Sequence, residues 1–141
     1  MFWDLHGKAG HPVRTTVRSA RASWVAFSRS TTPGMLEIAF KLADDRGLLL
    51  LDLDDLRAIL GFVADHRKEI STEYGLISAQ SIAAIQRALL ALEREGGGAL
   101  FGEPALELAD LMRTDLAGRG IVNILAADQL ILKPRRGSRR R

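Results

Sequence analysis

The residues whose types and spacing bear on chemistry are a glycine triplet, two close-set groups of aspartates, three histidines and a short arginine–aspartate segment. Gly96, Gly97 and Gly98 would suit a phosphate cradle only if a Lys and a Ser or Thr followed to reach the phosphates and a magnesium ion. Neither does, so the triplet reads as a helix-ending loop. No G-x-x-x-x-G-K-[ST] stretch occurs in the 141 residues, and no apolar strand ends in Asp-Glu. Phosphoryl transfer depends on positioning and charge neutralisation and needs both parts. By its own residues, therefore, the chain is expected not to hydrolyse ATP. Asp52, Asp54 and Asp55 resemble the start of a calcium loop, but its sixth place would be Arg57 instead of glycine and its twelfth Val63 instead of glutamate. Helix capping explains these carboxylates better, and Asp44 and Asp45 read as a solvated helix end. His6, His11 and His66 lack the paired i, i+4 spacing of a zinc helix. His6 and His11 flank a glycine loop without a clear third ligand, and His66 sits late in a helix, where an imidazolium suits the dipole. Arg113, Thr114, Asp115 and Arg119 lie around a turn before the last apolar run, where an Arg113–Asp115 or Arg119–Asp115 surface pair is the ordinary reading.

Composition narrows the class. At 141 residues with 47% hydrophobic content the chain suits one packed domain or less. With no cysteine, disulfides and thiolate metal sites are excluded, and a reducing cytoplasm is the expected location. Apolar runs such as Leu48 to Leu51 fall far short of the ~18 residues of a membrane span, and Met1 to Asp4 does not read as a signal peptide. The net charge of +3 is unevenly spread. Residues 133–141 hold six of the 20 basic groups (Lys133, Arg135, Arg136, Arg139, Arg140, Arg141) and no acid, so the other 14 face all 17 acids, a net −3. A basic tail thus follows a mildly acidic body. It offers non-specific, salt-sensitive phosphate binding but has no interleaved aromatics to stack bases, and a disordered terminus is the expected form.

Elements follow from spacing. Residues 2–5 and 13–17 read as extended segments around a Gly7/Gly10/Pro12 loop. Leu36, Ala39, Phe40 and Ala43 predict a helix over 35–45 stopped by Gly47. Asp52 or Asp54 caps a second helix with the stripe Leu56, Ile59, Leu60 and Val63. Ser78 caps a third, with Ile82, Ile85, Leu89 and Leu92 on one face. Glu103 and Pro104 suit the first turn of a fourth, continued by Leu106, Ala109, Leu111 and Met112. After Gly118 to Gly120, Ile121 to Leu125 reads as a strand covered on both faces in its full setting. If its neighbours are absent, Ile121, Ile124 and Leu125 will expose apolar edges.

Several collinear blocks carry a family resemblance: Phe2-Trp3-Asp4-Leu5 with Gly10 to Val17; Ala43 through Arg57; Thr72 to Gly75; Ala84 to Leu90; Phe101 to Asp115; and Gly118 to Asp128. Over residues 1–17 and 34–132 the chain resembles the bacterial HerA-like helicase family, P-loop ATPases of the HerA/FtsK group, in the stretch between their two nucleotide-binding motifs. The resemblance implies an α/β, mostly helical fold: the α-helical insert and flanking strands of a RecA-like core, with an incomplete sheet. Residues 1–132 would be a partial ATPase domain and 133–141 a basic, disordered tail. ATP and magnesium are implied for the intact family protein and no cofactor for this chain. The implied partners are further copies or the rest of the ATPase, and DNA for the intact protein, with no membrane. In such motors ligands gather beside strand ends, and an arginine lent to a neighbour's nucleotide stabilises transition-state charge. By that analogy Arg113, Thr114, Asp115 and Arg119 have the best claim to a role, yet no residue is assigned as catalytic, cofactor-binding or metal-binding.

The resemblance lapses over residues 18–33, where twelve of sixteen residues are Arg, Ser, Ala or Thr, and again over 133–141. The family has a leucine-rich helix and a Leu-Asn-Asp-Thr-Gln-like connector at the first place. Leu-Asp-Asp-Thr encoded as CTC-GAC-GAC-ACC and followed by C reads Ser-Thr-Thr-Pro one base later, the sequence of Ser30 to Pro33. A compensated frame shift over 18–33, with a second shift that ends the chain early, is the expectation. Divergence of a surface loop is the alternative, and the nucleotide sequence decides between them.

Overall fold

The computed structural model describes residues 1–4, 8, 10–28 and 34–126. The chain divides into two compact units: a helical unit, Arg14–Ala105, and a sheet unit made of Met1–Val13 and the chain from Leu106 onward. His6, Ser30 to Pro33, Asp128 and the tail over 133–141 lie outside the described residues.

The helical unit contains α1 (Arg21–Ser28), α2 (Met35–Asp45), α3 (Leu53–Asp65), α4 (Arg67–Tyr74) and α5 (Ala79–Arg94). The expected stripe of α2 is buried, and the helix stops where Gly47 takes a left-handed φ of 66°, a conformation that costs a side-chain-bearing residue. Asp52 caps α3. Its carboxylate accepts the Asp55 amide at 2.9 Å, while the Asp55 carboxylate accepts the amides of Leu51 (2.8 Å) and Asp52 (3.4 Å). This reciprocal arrangement satisfies donors that a helix start otherwise leaves unpaired. Ser78 does the same for α5, accepting from the Ser81 amide at 3.0 Å. Leu56, Ile59, Leu60 and Val63 of α3 meet Ile82, Ile85 and Leu89 of α5 in one core, with Leu92 half-buried beside it. Each such buried aliphatic side chain contributes about 1.5–3 kcal/mol by leaving water.

Two helices were not expected. α1 forms inside the Arg/Ser/Ala-rich segment because Trp24 is buried in the core, its ring 5.3 Å from that of Phe101. Arg18 and Arg21 pair there with Asp44 at 3.1 and 2.7 Å. α4 buries only Ile70, too few apolar positions to make a stripe. The helix expected to open at Glu103 and Pro104 is corrected: α6 is a single turn, Leu108–Leu111, at whose start the Asp110 carboxylate accepts the Glu107 amide at 3.0 Å. Upstream of it the chain is tied to Thr15, Leu100 accepting from the Thr15 amide at 2.8 Å and Gly102 donating to the Thr15 carbonyl at 3.0 Å. The Glu103–Pro104 peptide is cis.

The sheet unit holds β1 (Phe2–Asp4), β2 (His11–Pro12) and β3 (Ile124–Ala126), all parallel in the order β2-β1-β3. Trp3 stands opposite His11 on one side and Leu125 on the other. The expected strands are displaced. The second begins at His11 and leaves Thr15 as an isolated bridge to Phe101 in the helical unit. The last begins at Ile124, because Arg113 to Ile121 is taken up by a hairpin. Ile124 and Leu125 are each about half exposed, as expected for an edge without a neighbour, and Ile121 is half-buried. The fold is α/β and mostly helical. Among the described residues no single helix is long and apolar enough to cross a membrane.

Candidate functional site

In the sheet unit, Arg113, Thr114, Asp115 and Arg119 are gathered into one hairpin. Thr114 and Gly120 bridge antiparallel, the Ile121 amide donates to Arg113 at 3.0 Å, and the Asp115 amide donates to the Arg119 carbonyl at 2.8 Å. The Asp115 carboxylate organises the tip. One oxygen accepts the Ala117 and Arg119 amides, both at 2.9 Å, and the other accepts from Arg119 Nε at 2.9 Å. The Arg119 backbone N–H, then its side chain and the Ala117 N–H, hold the Asp115 carboxyl below the usual carboxylate range. The surface pair expected from the sequence is thus Asp115–Arg119. A guanidinium has five N–H donors and this pair uses one, so among the described residues the other four, on a side chain 80% exposed, are open to an anion. Arg113 has no ion-pair partner among the described residues.

The hairpin is tied to the sheet by Asn123, a residue the sequence reading did not single out. Its Oδ1 accepts from Trp3 Nε1 at 2.8 Å, and its Nδ2 donates to the carbonyls of Leu111 (2.8 Å) and Ile121 (3.2 Å). The signal was a lone amide inside the apolar run Ile121 to Leu125. Asp4, also overlooked, is buried at the end of β1 and accepts the Lys8 amide at 2.7 Å.

The other candidates resolve into structural contacts. Asp52 and Asp55 cap α3, and Asp54 pairs with Arg57, which also meets Glu93. Asp45 pairs with Lys41 and accepts from the Tyr74 hydroxyl at 2.9 Å. That hydrogen bond, aided by desolvation and the Asp45 charge, pushes the Tyr74 hydroxyl up to about 12. His11 tilts against Trp3, ring centres 5.7 Å apart, and His66 stacks on Phe62 at the α3–α4 corner. No group of three or more metal-binding side chains forms among the described residues. The glycine triplet does not fit a nucleotide. Gly97 is buried, and a Cβ there would lie 2.6 Å from Leu92 Cγ, so the turn packs on its own helix instead of opening into a cradle. An apolar cavity of about 210 Å³ beside it is lined by Trp24, Phe101, Leu92 and Ala88.

No curated protein and no solved structure gives a significant match to the chain. A family model described as "Helicase HerA-like C-terminal" matches residues 1–138, running through the divergent 18–33 segment, and the chain belongs to that family.

Proposed function

We propose that these 141 residues are a structural part of a HerA-like, ATP-driven DNA helicase or translocase and do not turn over nucleotide by themselves. The observation that carries this reading is a family match over residues 1–138 in a sequence with neither a phosphate loop nor an apolar strand ending in Asp-Glu. ATP and magnesium would be held by chain elements beyond these residues, and no step of hydrolysis is assigned to this chain. The family relation supports DNA as the substrate of the complete machine, and a second copy or the remaining ATPase as partner. The Asp115–Arg119 hairpin, rigid and with guanidinium donors to spare, is the part best suited to meet an anion on such a partner.

A second reading, a stand-alone nucleic-acid-binding module, is favoured by one observation: six basic groups and no acid within residues 133–141. The test is ATP turnover by the purified 141-residue protein, alone and with a co-expressed polypeptide carrying the phosphate loop and the Asp-Glu strand. No turnover alone and turnover on mixing supports the first reading, and turnover by the chain alone overturns it. Salt-sensitive DNA binding that disappears on deleting residues 134–141, without reconstitution, favours the second.

A further inference from the structure

At the corner where α3 gives way to α4, three flat groups lie together. The imidazole of His66 stacks on Phe62 with ring centres 4.1 Å apart and planes 19° from parallel. The Arg46 guanidinium carbon lies 4.4 Å from the centre of the same phenyl ring. His66 is held in place by its Nδ1, 3.1 Å from the Phe62 carbonyl oxygen. Arg46 and His66 are exposed and Phe62 is half-buried. Phe62 and Arg46 also line an apolar groove with Leu48, Leu49 and Ile59, in which Leu49 is 64% exposed.

Arg18, Arg21, Lys41 and Arg57 are each neutralised by a carboxylate. Among the described residues of the helical unit Arg14, Arg46, Arg67, Lys68, Arg87 and Arg94 have no carboxylate ion-pair partner, and of these Arg46, Arg67 and Lys68 lie together at this corner. The carboxylate of Asp55, at the groove, is occupied by the amides of Leu51 and Asp52. Asp65 and Glu69 share the corner and reduce its net charge, so attraction to an anion here is modest and short-ranged. Cations that neutralise phosphates, together with flat faces on which bases stack, are what a single strand requires and a duplex, with its bases enclosed, cannot use.

We propose that the Arg46–Phe62–His66 corner is a contact site for single-stranded nucleic acid, with bases stacked on the exposed imidazole and on the guanidinium and neighbouring phosphates met by Arg67 and Lys68. This deepens the reading of the chain as part of a DNA-handling protein by naming where the helical unit would touch its substrate. Binding needs no ATP, so failure of the ATP reconstitution leaves this site standing, and failure of this site leaves the reconstitution result intact.

The test is fluorescence anisotropy of the full 141-residue protein with labelled oligodeoxythymidylate and with a duplex, without nucleotide, over a range of salt. His66→Ala and Arg46→Ala are each expected to weaken single-strand binding roughly fivefold or more, the loss of one stacking face. His66→Phe, which keeps a stacking face, is expected to retain it, and Arg46→Lys, which keeps only the charge, to fall between. Helical circular dichroism of each variant guards against misfolding, and the His66→Phe result decides if an alanine variant fails to fold. No binding by the parent protein, equal binding by both alanine variants, loss in His66→Phe as large as in His66→Ala, or equal losses on duplex would overturn the proposal.

Discussion

Asn123→Ala tests the claim that one amide holds the sheet unit together. The orientation of the Asn123 side chain is forced. An indole N–H can only donate and a carbonyl can only accept, so Oδ1 must face Trp3 and Nδ2 must face Leu111 and Ile121. Alanine removes all three bonds. The bond to the Leu111 carbonyl is exposed, so water replaces it at little cost. The bond to Ile121 is long at 3.2 Å and contributes at the low end of about 0.5–1.5 kcal/mol. The third matters most, because Trp3 is only 7% exposed and its N–H would lose its partner, a desolvation cost of about 1–3 kcal/mol. Together these give about 2 kcal/mol, close to a thirtyfold rise in the local opening constant.

The assay is amide hydrogen exchange. The reporter is Ile124, whose N–H donates to the Met1 carbonyl at 2.9 Å where β3 begins beside β1. Its exchange should accelerate about thirtyfold, while amides of α3, held by the core of the other unit, stay unchanged. Asn123→Asp keeps the acceptor for Trp3 but loses both donors and sets a negative charge against two carbonyls. It should open at least as readily as the alanine variant. Exchange at Ile124 within about twofold of the parent would refute the reasoning, since the local opening equilibrium would then owe almost nothing to the latch.

The remaining predictions concern the helical unit and the hairpin. Asp52→Ala should destabilise the helical unit by about 1 kcal/mol through loss of the α3 cap, read from urea denaturation. Leu60→Ala, at a fully buried position, should cost about 2–5 kcal/mol in the same assay. Tyr74 is the only tyrosine, so phenolate absorbance reports it alone. The folded protein should titrate near 12 and Asp45→Asn closer to the ordinary value of 10. Because the folded value is raised, the contribution of this bond to stability is complete below pH 10 and lost as pH rises through about 12. For Asp115 the sign is opposite. Its folded value is depressed, so the hairpin keeps its carboxylate contacts above the ordinary range near 4 and loses them as pH falls below it, seen as collapse of the Ala117 and Arg119 amide shifts.

The parts of the fold legible in the sequence were those fixed locally. A cap and a 3.6-residue stripe lie within one segment, and Asp52 with Leu56, Ile59, Leu60 and Val63, or Ser78 with Ile82, Ile85 and Leu89, declare a helix without reference to anything distant. α1 could not be read this way, because Trp24, its buried anchor among the described side chains, becomes a core residue only when Phe101, far along the chain, arrives beside it. α6 was misplaced for the same reason. The pairing of Thr15 with Leu100 and Gly102 holds the chain before Glu103, and the Asp110 carboxylate, accepting the Glu107 amide, sets the start later. At the candidate site, the Asp115–Arg119 pair was legible because it closes within five residues. Asn123 was not, because its role depends on Trp3 at the other end of the chain. The order β2-β1-β3 likewise rests on contacts that no local pattern encodes.

The two units are stabilised by different kinds of force, and this bears on function. Of the buried apolar residues among those described, all but Trp3 lie between Val17 and Leu89, in the helical unit. The described sheet unit relies on directed bonds instead: the Asn123 latch, the Asp4–Lys8 contact and the Asp115 tip. Such bonds are each worth about 1 kcal/mol net. They fix geometry well but supply little free energy compared with burial. Parallel strands are ordinarily buried on both faces, yet Ile124 and Leu125 of β3 are about half exposed, and Val122 just before it is more so. A unit precise in geometry and poor in burial gains most from docking, since a partner can bury this surface without first having to order it. That asymmetry supports the proposal that the chain works as one part of a larger ATPase, docking through the sheet unit.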